Sequence, residues 1–153
     1  MKTFETLKDV LENAIEVHTR AAELYGDLAR RQVDGRGQLL LESMIDHDRH
    51  MARMLRAFTE RAGAGALGTY LQYTLEEPPE AFLGNLAPGR DQLTVDDLSA
   101  LGQAVHHYLV DLVEEARRET ASAEARELLG DILQLETAER QNFTRATIAI
   151  LEM

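Results

Sequence analysis

The sequence predicts an all-α fold, an antiparallel four-helix bundle with a long crossover between its second and third helices. Two observations carry the class. The chain of 153 residues holds only 3 Pro and no Trp, is rich in Leu, Ala, Glu and Arg, and shows none of the β-branched and aromatic runs that mark strands. Apolar residues recur at steps of three and four along four long segments, which is the signature of amphipathic helices. A third observation sets the topology: the stretch between the second and third segments is far too long for a turn.

The first stripe passes through Leu7, Leu11, Ala14, His18, Ala21, Tyr25 and Leu28, and predicts a helix from about Thr3 to Val33. Asp34-Gly35-Arg36-Gly37 breaks it and leaves room for little except a helical hairpin. The second helix carries Leu40, Met44, His47, His50, Met51, Met54, Leu55 and Phe58 on adjoining rows and fades at Gly63-Ala64-Gly65. From Ala64 to Leu93 the periodicity lapses, and Gly68, Pro78-Pro79, Gly84 and Pro88-Gly89 punctuate a crossover with a short helix near Glu80 to Leu83. Thr94 and Asp97 form a capping pair opening the third helix, whose row reads Leu98, Leu101, Val105, Tyr108, Leu112 and Glu115. Ser122 caps the fourth, which carries Leu129, Ile132, Glu136, Glu139, Phe143, Ala146 and Ile150.

Length and composition narrow the function. One domain covering 1–153 can bury about two-thirds of its unfolded surface without disulfides. Cysteine is absent, which removes thiolate metal sites, iron–sulfur clusters and thiol nucleophiles, and leaves histidine, carboxylate and phenolate as ligands. A net charge of −11, from 27 acidic and 16 basic side chains, sets the surface against nucleic acid and anionic membranes. No segment approaches ~18 consecutive apolar residues, and Met1 to Asp9 lacks the apolar run of a secretory signal, so the expected location is cytoplasmic. Isolated glycine pairs such as Gly35/Gly37 form no phosphate-binding fingerprint, and no Ser/His/Asp spacing occurs.

Two hairpins in one chain suggest duplication. Leu11 to His18 aligns with Leu101 to Tyr108 at an offset of 90, and the second helices of each half align at 89. The halves are then related by a pseudo-two-fold axis that sets His18 opposite Tyr108, and His47/His50 opposite Glu136/Glu139. These residues interrupt the apolar rows at one level of all four helices, and an i, i+3 pair projects to one face.

With His18 and Tyr25 seven residues apart, His47-Asp-Arg-His50 and Glu136-Thr-Ala-Glu139, the chain resembles the rubrerythrin and bacterioferritin branch of the ferritin-like di-iron carboxylate proteins. In that family the first and third helices each give a Glu, the second and fourth each give Glu-x-x-His, and a Tyr often follows the first Glu by two turns. The resemblance spans nearly the whole chain and implies a ferritin-like bundle with a metal centre. Matched by position, the ligands are changed to His18, His47, Tyr108 and Glu139, and only His50 and Glu136 keep the family's type. Imidazole cannot bridge two metals as a carboxylate does. The expected centre is therefore one ion, iron first and manganese or zinc next, held by His18, His47 and His50 with Glu136 reaching across. Glu139 and Tyr108 stand beside it or serve a weaker second site.

Each of these residues also has a structural reading. A single histidine on an apolar face is commonly a hydrogen-bonded core residue, Asp46 and Asp48 can satisfy the His47/His50 pair, and buried carboxylates need donors that three histidines and Tyr108 could supply without metal. Adjacent helical residues point about 100° apart, so at most one of His106 and His107 faces inward. His107 is the one beside the core row and a substitute for Tyr108 on a rotated helix, while His106 falls at the surface or an interface. Two functions follow. One is a metal-binding oxidoreductase acting on dioxygen, peroxide or ferrous iron, with a separate electron donor. The other is a binding or assembly module whose polar centre has lost the di-iron chemistry. A homodimer is expected for either, with Leu67, Tyr70, Leu71, Tyr73 and Phe82 of the crossover packing on the partner or on the bundle.

Overall fold

A computed structural model describes residues 2–31, 34–74, 77–86 and 93–153. Among them the chain runs through strand β1 (Lys2–Thr6), helix α1 (Leu7–Arg31), α2 (Gly35–Arg61), α3 (Ala64–Leu67), strand β2 (Tyr70–Thr74), α4 (Pro79–Leu86), α5 (Val95–Glu119) and α6 (Ala123–Leu151). The four long helices form the bundle, and the all-α expectation holds. Val33, where the first helix was expected to end, and Pro88-Gly89 lie outside the described residues.

The direction of each helix follows from contacts at the ends. α1 and α2 form one hairpin, α5 and α6 the other, and the hairpins join through α2–α6 and α1–α5. Gly63, just past the end of α2, faces Glu124 in the first turn of α6, and the Arg36 guanidinium at the start of α2 bonds the Met153 carbonyl beyond α6. α2 and α6 are thus antiparallel and α5 runs the same way as α2. The crossover has to travel the length of the bundle, which explains its size.

One element was not expected. Thr3 to Thr6 is extended, and β1 pairs antiparallel with β2 in the register Lys2↔Thr74 to Thr6↔Tyr70. The backbone N–H of Leu7 donates to the Thr69 carbonyl at 2.9 Å, so the ribbon tethers the crossover to the start of α1. Five residues per strand are too few to register as a run, which is why the helix seemed to begin early. In the crossover, Leu71 is buried in the core, Leu67 and Phe82 are partly buried against it, and Tyr70 is exposed; the Tyr73 side chain lies outside the described residues.

The helix starts are set by side chains that accept the orphan N–H groups of a first turn. Thr94 and Asp97 close a reciprocal box, with the Asp97 N–H donating to Thr94 Oγ1 at 3.1 Å and the Thr94 N–H to Asp97 Oδ2 at 3.0 Å. Thr6 and Asp9 repeat it at α1, at 3.2 and 3.1 Å. Asp34 caps α2 and Ser122 caps α6. These caps reveal the true repeat. Thr6/Thr94, Asp9/Asp97, Leu7/Val95, Arg31/Glu119 and Asp34/Ser122 are all 88 residues apart, one register for both hairpins in place of the offsets of 90 and 89.

Close approach of α5 and α6 depends on Gly102. A Cβ there would lie 2.9 and 3.1 Å from Phe143 Cε1 and Cε2, with Cζ nearer still. Phe143 is buried and cannot swing away. Gly102→Ala should therefore lose more to overpacking, about 1–3 kcal/mol, than the ~1 kcal/mol that alanine adds in helix propensity. Urea unfolding should show net destabilisation.

Candidate functional site

At mid-height, α1, α2 and α6 meet on one fully buried imidazole. His18 places Nδ1 2.6 Å from Asp48 Oδ1 and Nε2 2.8 Å from Glu136 Oε1. All three side chains are 3% exposed or less. An ionised carboxylate only accepts hydrogen bonds, so both ring nitrogens donate and His18 is an imidazolium. Burial alone would lower its pKa, but the charge of Glu136 and the hydrogen bonds to Asp48 and Glu136 override it and raise the value from 6.5 to about 10.

The other side of the centre is built differently. His106 on α5 is 2% exposed, and its Nδ1 has no hydrogen-bond partner among the described residues. Burial, opposed by Asp48 and aided by the charges of His47, His18 and Arg140, lowers its pKa to about 4, so the ring is neutral. Its ring centroid lies 5.1 Å from that of His47, edge-on at 76°. Phe143 leans on both rings, at 5.5 and 6.4 Å. His47 is 3.0 Å from Glu139 Oε2 through Nδ1, on the rim of the core, with side chains 12% and 15% exposed. Its Nε2 is buried without a partner among the described residues, as are Glu136 Oε2 and the Tyr25 hydroxyl. Burial, reinforced by Asp48, raises the pKa of Tyr25 well above 10.0.

Of the six residues picked from sequence, the structure gathers His18, Glu136, His47 and Glu139 at this level and leaves out two. His50 is exposed. The inward row of α2 is Met44, Asp48, Met51 and Leu55; the apolar members lie where expected, but Asp48 takes the central place, with His47 at its edge and His50 on the solvent side. Tyr108 turns to the crossover, where its hydroxyl donates to the Glu77 carbonyl at 3.0 Å and its ring stacks on Phe82 at 4.1 Å and 11°. His18 is present but committed, with neither nitrogen left to ligate. His106 is the inward histidine of its pair, whereas His107 is exposed and 3.2 Å from Asp111.

Asp48 and His106 were missed as site residues. The missing signal was the 88-residue register, which maps His18 onto His106 and Asp48 onto Glu136, all four buried. Register 90 paired His18 with Tyr108 because Leu11 and Leu101 look alike, though Leu101 is only partly buried.

A solved structure from Thermotoga maritima, described as a ferritin-like diiron-carboxylate protein, superposes with a TM-score of 0.61 over 94% of this chain and 95% of that one, at 16% sequence identity. The fold is ferritin-like. No protein-family model matches the sequence, and no curated protein matches it significantly. At that identity the likeness establishes the fold alone. Among the described residues no helix is long and apolar enough to cross a membrane.

The two histidines pull stability in opposite directions with pH. His18, raised from 6.5 to about 10, contributes fully below 6.5 and loses its contribution as pH rises through 10. His106, lowered from 6.5 to about 4, contributes above 6.5 and loses its contribution as pH falls towards 4. Denaturation midpoints measured from pH 4 to 10 should peak near 6.5, the alkaline limb flattening in His18→Gln and the acid limb in His106→Gln.

Proposed function

We propose that this ferritin-like chain binds one divalent transition-metal ion at the bundle centre, for oxidoreductase chemistry on dioxygen, peroxide or ferrous iron. The observation that carries this reading is a set of three buried ligand atoms with no partner among the described residues, each from a different helix: His47 Nε2, His106 Nδ1 and Glu136 Oε2. Two imidazoles and a carboxylate suit iron, manganese or zinc. The His47 and His106 ring centroids lie 5.1 Å apart, edge-on at 76°. Glu139 holds His47 Nδ1, the kind of outer hydrogen bond that fixes a ligand's tautomer.

The fit has limits that shape the proposal. Among the described residues no group of three or more His, Asp or Glu stands ready to enclose an ion, so the donors have to rotate to meet. A pair of ions does not fit. Bridging needs carboxylates with both oxygens free, and Asp48 Oδ1 and Glu136 Oε1 are taken by His18. Bound on the His106 side, iron would supply one-electron chemistry to a small oxidant. The chain's own contribution is to hold the ligands, keep water out with Phe143, and offer the buried Tyr25 hydroxyl as a donor. With no cysteine there is no thiolate relay, so electrons would come from a separate partner.

A second reading, the metal-free binding or assembly module, is favoured by His18 itself, which balances buried carboxylate charge without an ion. Elemental analysis separates the two. After anaerobic loading with iron, manganese or zinc and desalting, about one ion per chain should remain, and His47→Ala should lose it. Wild-type protein that retains no metal sinks the first reading in favour of the second.

A further inference from the structure

The 88-residue register makes the centre a duplicated object, yet its two copies are wired unequally. His18 and His106 are equivalent positions on α1 and α5, and Asp48 and Glu136 are equivalent positions on α2 and α6. A symmetric centre would give each histidine a share of the two carboxylates. Instead His18 takes one oxygen from both, and His106 Nδ1 and Glu136 Oε2 are left unpartnered among the described residues.

We infer that the duplicated centre has divided its work: the His18 half is a permanent cross-link between helices, and only the His106 half is open to a ligand. The assignment of that ligand as a metal ion rests on the proposed function; the division does not. His18 links three helices through hydrogen bonds from opposite sides of its ring to acceptors that have lost water. A glutamine there has both donors on one nitrogen and an oxygen that only accepts, so it carries no charge and leaves one buried carboxylate unmatched. His106 contributes packing against His47 and Phe143 and no hydrogen bond through Nδ1, so an amide there removes little that holds the bundle together. The division also explains a ferritin-like bundle to whose polar centre α1 and α5 each bring a buried histidine and no buried glutamate.

The test pairs two equivalent substitutions in chelator-treated, metal-free protein. His18→Gln should lower the melting temperature by about 10 °C or more, and His106→Gln by about 3 °C or less. Failure to obtain folded His18→Gln beside well-folded His106→Gln counts as the expected asymmetry. Equal losses in the two variants overturn the inference. Metal stoichiometry gives an independent reading: about one ion per wild-type chain, lost in His106→Gln, supports the division, and two ions per chain overturn it. Should wild type hold no metal at all, the proposed function fails, and the two melting shifts alone decide whether His18 and His106 have parted roles.

Discussion

Most of this bundle is ordinary apolar packing, and the one interaction that fixes how its helices face each other is the buried Asp48–His18–Glu136 clamp. Three ionisable groups lie at the centre of a core of leucine, valine and methionine, where an isolated charge is costly to hold. They are tolerable only together. Removing one partner of such a buried arrangement typically costs about 3–5 kcal/mol, because the others stay buried and unmatched. A slip of one residue in α2 would send Asp48 off its partner and bring His47 in its place. The clamp therefore specifies helix rotation as well as contributing to stability.

Around that constraint the rest of the centre becomes intelligible. Gly102 lets Phe143 press in from α6 on His47 and His106, which keeps the second half of the centre dry. Dryness depresses the basicity of His106 and leaves it neutral where His18 is an imidazolium, two histidines with different charge states at equivalent positions of one repeat. Equivalent positions do not impose equivalent chemistry when one oxygen of each carboxylate is directed at His18 and none at His106 Nδ1. Tyr108 is released from the centre for the same reason: with His106 turned inward on α5, the tyrosine lies under the crossover and fastens it through Glu77 and Phe82.

Local rules explain what could be read directly. The hairpin breaks, the caps at Thr94 and Ser122 and the crossover came from turn chemistry and three-to-four periodicity, which act over a few residues and need no knowledge of the partner helix. The row of α1 was legible because its apolar positions are dense enough to fix the inward face to within a residue. On α2 they are not: methionines at 44, 51 and 54 and histidines at 47 and 50 fit two rows about 100° apart. The β1–β2 ribbon was invisible for another reason, since two five-residue strands are specified by their pairing across the chain and not by their own composition.

By itself, then, the amino-acid sequence determined the class, the number and order of the long helices, the crossover, and the fact that histidines and glutamates interrupt the apolar faces at one level. Only the tertiary structure decided which of them meet. It put Asp48 and His106 into the centre, sent His50 and His107 to solvent, and assigned His18 to a structural pair of hydrogen bonds. The physical reason is that periodicity fixes a side chain's direction only to within a helical step. Choosing between neighbours such as His47 and Asp48, or His106 and His107, is settled by a long-range charge match: the buried cation at His18 needs a carboxylate from each of two other helices at under 3 Å.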